Sequence, residues 1–157
     1  MQWLRSVGWL GSIAGASVAI ALASAALQRA GLAPLLLSSL LIGAALGAVA
    51  FGIAWVFDVK NGRLLITGAV MAAVLLVTMQ HFALYRFHLN DWDQVTREKP
   101  ELSLFREPPP ESLGIYLRQE AADGRAWLWL LDGAIVTATA AGIAVALRSR
   151  RGEGNME

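Results

Sequence analysis

Residues 64–85 read LLITGAVMAAVLLVTMQHFALY, 22 residues without a formal charge between Arg63 and Arg86. At ~1.5 Å of rise per helical residue that run spans about 33 Å, enough to cross a hydrocarbon core of ~30 Å. Working outward, the pattern repeats. There are 28 uncharged residues between Arg29 and Asp58 and 23 between Arg5 and Arg29; the 22 between Arg125 and Arg148 carry only Asp132. These four windows hold 95 of the 157 residues and one of the 25 formal charges. Uncharged runs of this length exclude an ordinary soluble domain. None shows the apolar–polar alternation of a barrel strand, and only helices otherwise satisfy their own backbone in lipid. The expected fold is an all-α integral membrane protein, a four-transmembrane-helix bundle forming one domain over 1–157. Its spans are placed at about 7–27, 34–57, 64–85 and 126–147, with the second starting at Pro34.

Aromatic residues cluster at the span ends: Trp3 and Trp9, Trp55 and Phe57, Tyr85 and Phe87, Trp127 and Trp129. Amphipathic rings favour headgroup depth, so these are read as interfacial anchors, with Trp92 standing apart. Span one has a rival reading as a signal peptide, because Ala23-Ser24-Ala25 fits a cleavage site. Its uncharged stretch exceeds the ~7–15 residues of a signal core, and the span is read as retained.

Four spans put both termini and the short 58–63 loop on one side. Arg5, Lys60, Arg63, Arg148, Arg150 and Arg151 lie there close to span ends. The opposite side has Arg29 and the 40-residue loop 86–125, which holds six basic and eight acidic residues. Basic density next to spans predicts cytoplasmic termini in a cell (inner) membrane and an extracytoplasmic loop. Asp58 is expected to pair with Lys60, Arg63 or a C-terminal Arg. The overall charge of +1 gives no reason to expect a nucleic-acid partner.

The loop carries its own signals. Asn90 and Asp93 suggest a short helix over 91–99 ended by Pro100, followed by an extended piece over 101–106. Pro108-Pro109-Pro110 reads as a stiff polyproline stretch leading into a helix over 111–123 that stops at Gly124. On that helix Leu113, Tyr116 and Leu117 form a narrow apolar stripe, which either docks a partner or packs on the chain's own span ends. Asp91 and Asp93 lack the further ligands a divalent cation needs, and no metal site is assigned.

Inside the membrane Asp132 is costly unless paired, hydrated or protonated. It lies seven residues, ~10 Å, past Arg125, while His81 lies five residues, ~7.5 Å, before Arg86. Asp132, His81 and Gln80 therefore share a depth and form the expected intramembrane polar group, read as a register-fixing pair or as a proton-exchanging one. His81 and His88 are the only histidines, seven apart on one helix face. They cannot ligate one haem from opposite sides, and no Cys offers a thiolate. No cofactor is expected; an electron-transfer subunit, whose haem site an oligomer or a partner would have to complete, is the third and weakest reading. Ser38-Ser39 suits interhelical hydrogen bonding better than catalysis, and no nucleophile–base–acid set appears.

Gly11 and Gly15, Gly43 and Gly47, and Ala134, Ala138 and Gly142 recur at steps of four and suit close helix packing. Together these features suggest a non-catalytic integral membrane subunit or scaffold. Its partners would be the lipid bilayer and other membrane subunits or further copies of itself, met through small-residue faces and the 86–125 loop. The alternative is a small transport or proton-conducting component using Asp132 and His81.

Overall fold

A computed structural model describes residues 2–31, 35–59, 61–103, 108–124 and 126–153. Regular structure among them is helical: α1 (Gln2–Arg29), α2 (Leu35–Val56), α3 (Gly62–Glu98), the single turn α4 (Pro100–Ser103), α5 (Leu113–Ala122) and α6 (Ala126–Glu153). Four of these, α1, α2, α3 and α6, are long and apolar enough to cross a membrane. The chain is a multi-pass helical membrane protein. Pro34, Lys60 and residues 104–107, to which sequence expectations were attached, lie outside the described residues.

The four long helices stand at the corners of a bundle. α1 is flanked by α2 and α3, α6 by the same two, and α2 touches α3 across the centre. The most extensive pairings, α2 with α6 and α1 with α3, join helices that run in the same direction. The interior is built around Trp9, Ile13, Leu46, Leu76 and Val136, with Ala50, Ala69, Ala73, Ala140 and Ala144 between them. In lipid, close backbone approach through small side chains supplies what hydrophobic burial supplies in water.

Trp9 departs from its expected place at the headgroups: it is 0% exposed, inside the bundle. Its Nε1 donates to the Ala50 carbonyl at 3.2 Å, which satisfies the indole away from water. Its ring occupies the space that a Cβ on Gly68 would need. Glycine on α3 thus makes room, and a carbonyl on α2 supplies the acceptor. Trp55 and Trp127, at 64% and 61% exposed, keep the outward positions expected of anchors.

α3 is one continuous helix of 37 residues, about 55 Å long, where sequence reading placed a span and a separate short helix. No Gly or Pro interrupts 86–98, and Leu89, Trp92 and Val95 continue a half-buried stripe at helical spacing. Asn90 is therefore an ordinary helix residue and not a start signal. The helix begins at Asn61, whose side chain accepts from the backbone N–H of Arg63 (3.0 Å) and Leu64 (3.4 Å). It ends at Lys99 (φ −142°, ψ 68°), which the ring of Pro100 keeps out of helical conformation. The piece expected to be extended from 101 is helical through Ser103.

The α2–α3 turn closes as a Schellman motif. Val59 N–H bonds the Ala54 carbonyl at 2.9 Å and Asp58 N–H the Trp55 carbonyl at 3.2 Å. Asp58 takes the left-handed position, φ 53°, that glycine usually fills. Its carboxylate meets Arg5 at 3.5 Å, a basic partner the sequence reading did not name. At the opposite end Arg29 pairs with Asp91, and its guanidinium lies 5.2 Å from the centre of the Phe87 ring. The two ion pairs fix which loops share an end of the bundle.

Candidate functional site

The residues that most need explaining gather in the half of the bundle nearest the 86–124 segment. α2 and α6 run parallel, and their contact is a ladder with a constant offset. A Cβ on Gly47 would lie 2.5 Å from the Ala140 carbonyl oxygen, and one on Gly43 would lie 2.8 Å from that of Val136. One turn towards the loop, Ser39 Oγ donates to Asp132 Oδ1. The rungs 39–132, 43–136 and 47–140 each advance by four residues on both helices, so the glycines that admit α6 also deliver Ser39 to Asp132. Ser39 is buried, at 2% exposed, and Asp132 half-buried. A hydroxyl donor is one of the partners that makes an intramembrane carboxyl tolerable.

This corrects the expected pairing. α3 and α6 are neighbours, and His81 and Asp132 lie on facing stretches of the two helices. The hydrogen bond of Asp132, however, goes to Ser39 on α2. The His81 ring instead rests against Trp129, with centroids 4.6 Å apart and planes at 51°. The physical reason is helix rotation: the closer α2–α6 contact turns the row Asp132, Val136, Ala140 towards α2. Gln80, at 3% exposed, points into the bundle as a buried polar group.

The same rotation decides the small-residue rows. Gly43 and Gly47 pack within the chain. On α6 the buried row is Val136, Ala140 and Ala144, while Ala134, Ala138 and Gly142 face outward. Gly11 and Gly15 on α1 are also exposed, and a Cβ on either, or on Gly142, would meet nothing within 4 Å.

Beyond the spans, Ser112 caps α5 by accepting from the Ile115 N–H at 3.3 Å, so the helix starts after Ser112 and not at the proline run. Gly124, at φ 76°, turns the chain away from it, as expected. Tyr116 stacks on Tyr85 (centroids 5.4 Å, planes at 38°), and the Tyr85 hydroxyl donates to the Pro110 carbonyl at 3.2 Å. The stripe residue Tyr116 therefore packs on the chain's own α3; Leu113 and Leu117 are half-buried, and the large apolar side chain that α5 exposes is Ile115. A cleft of about 680 Å³ remains between α3 and α5, lined by His88, Pro110, Tyr116, Gln119, Glu120 and Asp123, among others. Asp91 is engaged with Arg29, and no cluster of three or more His, Asp or Glu suited to a metal ion occurs among the described residues.

Sequence reasoning missed Ser39 as the partner of Asp132, although the signal was available. Extending the Gly43–Gly47 row by one step of four reaches Ser39. Compared with family models, characterised proteins and solved structures, the chain matches none.

Proposed function

We propose that the protein is a non-catalytic integral membrane subunit that assembles with further copies of itself or with other membrane subunits. The observation that carries this reading is a division of labour between glycines. Gly43 and Gly47 are used up inside the bundle, whereas Gly11 and Gly15 on α1 and Gly142 on α6 leave open rows on opposite corners. Glycine in a helix interior costs about 0.5–1 kcal/mol relative to alanine, and open glycine rows in lipid permit another helix to approach closely. The outward face of α5 and the projecting end of α3 offer a separate surface on the loop side. Both termini are assigned to the cytoplasm of a cell (inner) membrane on the density of basic residues next to the spans.

The test is co-purification in mild detergent, read by mass spectrometry. Wild type is expected to carry a second copy or another membrane protein. Gly11→Leu with Gly15→Leu, or Gly142→Leu, should remove that partner while leaving the bundle intact, since among the described residues nothing lies within 4 Å of a Cβ at these sites. A clean wild-type monomer counts against assembly. Intact co-purification after removal of residues 108–123 would take the loop out of the interface. The alternative, a transport component acting through Asp132 and His81, needs ionisable groups in the other half of the bundle as well. Asp132 is the one formal charge in the four uncharged windows.

A further inference from the structure

Every long helix contributes a polar side chain to one level of the bundle. Counted from the helix ends on the loop side, Ser24 lies five residues inside Arg29 and Ser39 lies four inside Leu35. On α3, which runs on to Glu98, the count is from Arg86, where the uncharged run stops: Gln80 and His81 lie six and five residues before it, and Asp132 lies six after Ala126. At ~1.5 Å per residue all five fall about 6–9 Å inside the bundle. Ser24, Ser39 and Gln80 are almost completely buried, at 3%, 2% and 3% exposed. Ser24 Oγ has no hydrogen-bond partner. A buried hydroxyl without a partner marks a place where water completes the hydrogen bonding.

The cleft between α3 and α5 stands directly above this level. Leu84 and His88 line it and lie three and seven residues beyond His81, on the same face of α3. Glu120 lines it too, and α5, which carries it, touches both α3 and α6. Ionisable groups thus follow one another from the cleft to the membrane interior: His88 and Glu120, then His81, then Asp132. Around the last two stand Ser39 of α2, bonded to Asp132, Trp129 of α6, against the His81 ring, and Glu120 of α5; α1, which carries Ser24 at the same depth, does not touch α6. In the other direction α6 offers no charged residue from Gly133 to Leu147.

We propose that this level is a hydrated proton-binding site open to the loop side only, in which the Asp132 carboxyl exchanges its proton with loop-side water through the α3–α5 cleft by way of Glu120 and His81. The ligand is the proton and not a metal cation, because the oxygen donors at this level are too few for a hard cation's six or more ligands. The site is one-sided. It makes the protein responsive to acidity on one face of the membrane without conducting across it, and so goes beyond the assembly role.

The experiment uses the full chain in sealed, uniformly oriented proteoliposomes and the hydrophobic reagent dicyclohexylcarbodiimide, which modifies protonated carboxyls from the lipid phase. Mass spectrometry of the Asp132 peptide reads the labelling. Labelling of Asp132 should rise when loop-side pH is lowered and stay constant when the pH of the other compartment is changed. Asp132→Asn should abolish it. Glu120→Gln and His81→Gln should each slow, several-fold, the response of labelling to a loop-side pH jump. Labelling that follows the opposite compartment, labelling indifferent to pH on both sides, or unchanged response in both Gln variants would each overturn the proposal. Glu120 lies outside the spans, so its variant keeps the test decisive if His81→Gln fails to fold.

Discussion

At the scale of single residues, identical amino acids do opposite work according to which face they occupy. Gly47 lies where a Cβ would come within 2.5 Å of a backbone oxygen on α6, and backbone cannot step aside. Gly47→Ala should therefore destabilise the bundle by ~1–3 kcal/mol in detergent unfolding, whereas Gly11→Ala, with nothing within 4 Å, should stay within ~0.5 kcal/mol. Equal effects at the two sites would contradict the packing described. Ser39→Ala removes the hydroxyl that serves Asp132 and should cost ~1–3 kcal/mol, while the double variant Ser39→Ala with Asp132→Leu should recover most of that loss, because no carboxyl is then left without its donor. Asp58 tests the turn. Asp58→Gly keeps the left-handed conformation and gives up the exposed ion pair with Arg5, worth ~0–1 kcal/mol, but Asp58→Val adds a further ~1–2 kcal/mol of backbone strain.

Single elements show how far local sequence signals reach. The four spans were legible because uncharged length is a direct consequence of what lipid requires; each falls on a long helix, although α1 starts five residues earlier, α6 ends six later and α3 runs well past Tyr85. α3 runs on past Tyr85 because nothing in 86–98 stops a helix; the cap chemistry of Asn90 counts only where a helix is already ending. Pro100 was read correctly as a terminator, since its effect on Lys99 is local and steric. Trp9 was misplaced because its acceptor on Ala50 and its space over Gly68 are supplied by two other helices. The partner of Asp132 was hidden for the same reason: depth follows from counting along one helix, but azimuth follows from how α2 and α6 fit. For α5 the local signal is the Ser112 cap. Ser112→Ala should lower its helix stability by ~0.5–2 kcal/mol, visible as faster amide exchange at Ile115 and Tyr116 with α3 unaffected.

For the whole molecule, the net charge of +1 conceals a division among compartments. The terminal side holds an excess of basic residues, the loop an excess of acidic ones, and one carboxylate lies between them in the bundle. Arg29 with Asp91 and Arg5 with Asp58 tie the ends, but both pairs are substantially exposed, so each should contribute ~0–1 kcal/mol and weaken with salt. The stability of the bundle should then depend little on ionic strength, and a strong salt dependence of unfolding would show that these pairs matter more than their exposure implies. The length of α3 has a mechanical consequence. A single rod of about 55 Å anchored in a ~30 Å layer converts any change of tilt, for instance in a thinner bilayer, into lateral travel of its free end. A swing of about 10° displaces that tip by roughly 10 Å, so membrane thickness would be written into where Trp92 and Arg97 stand relative to a neighbouring protein.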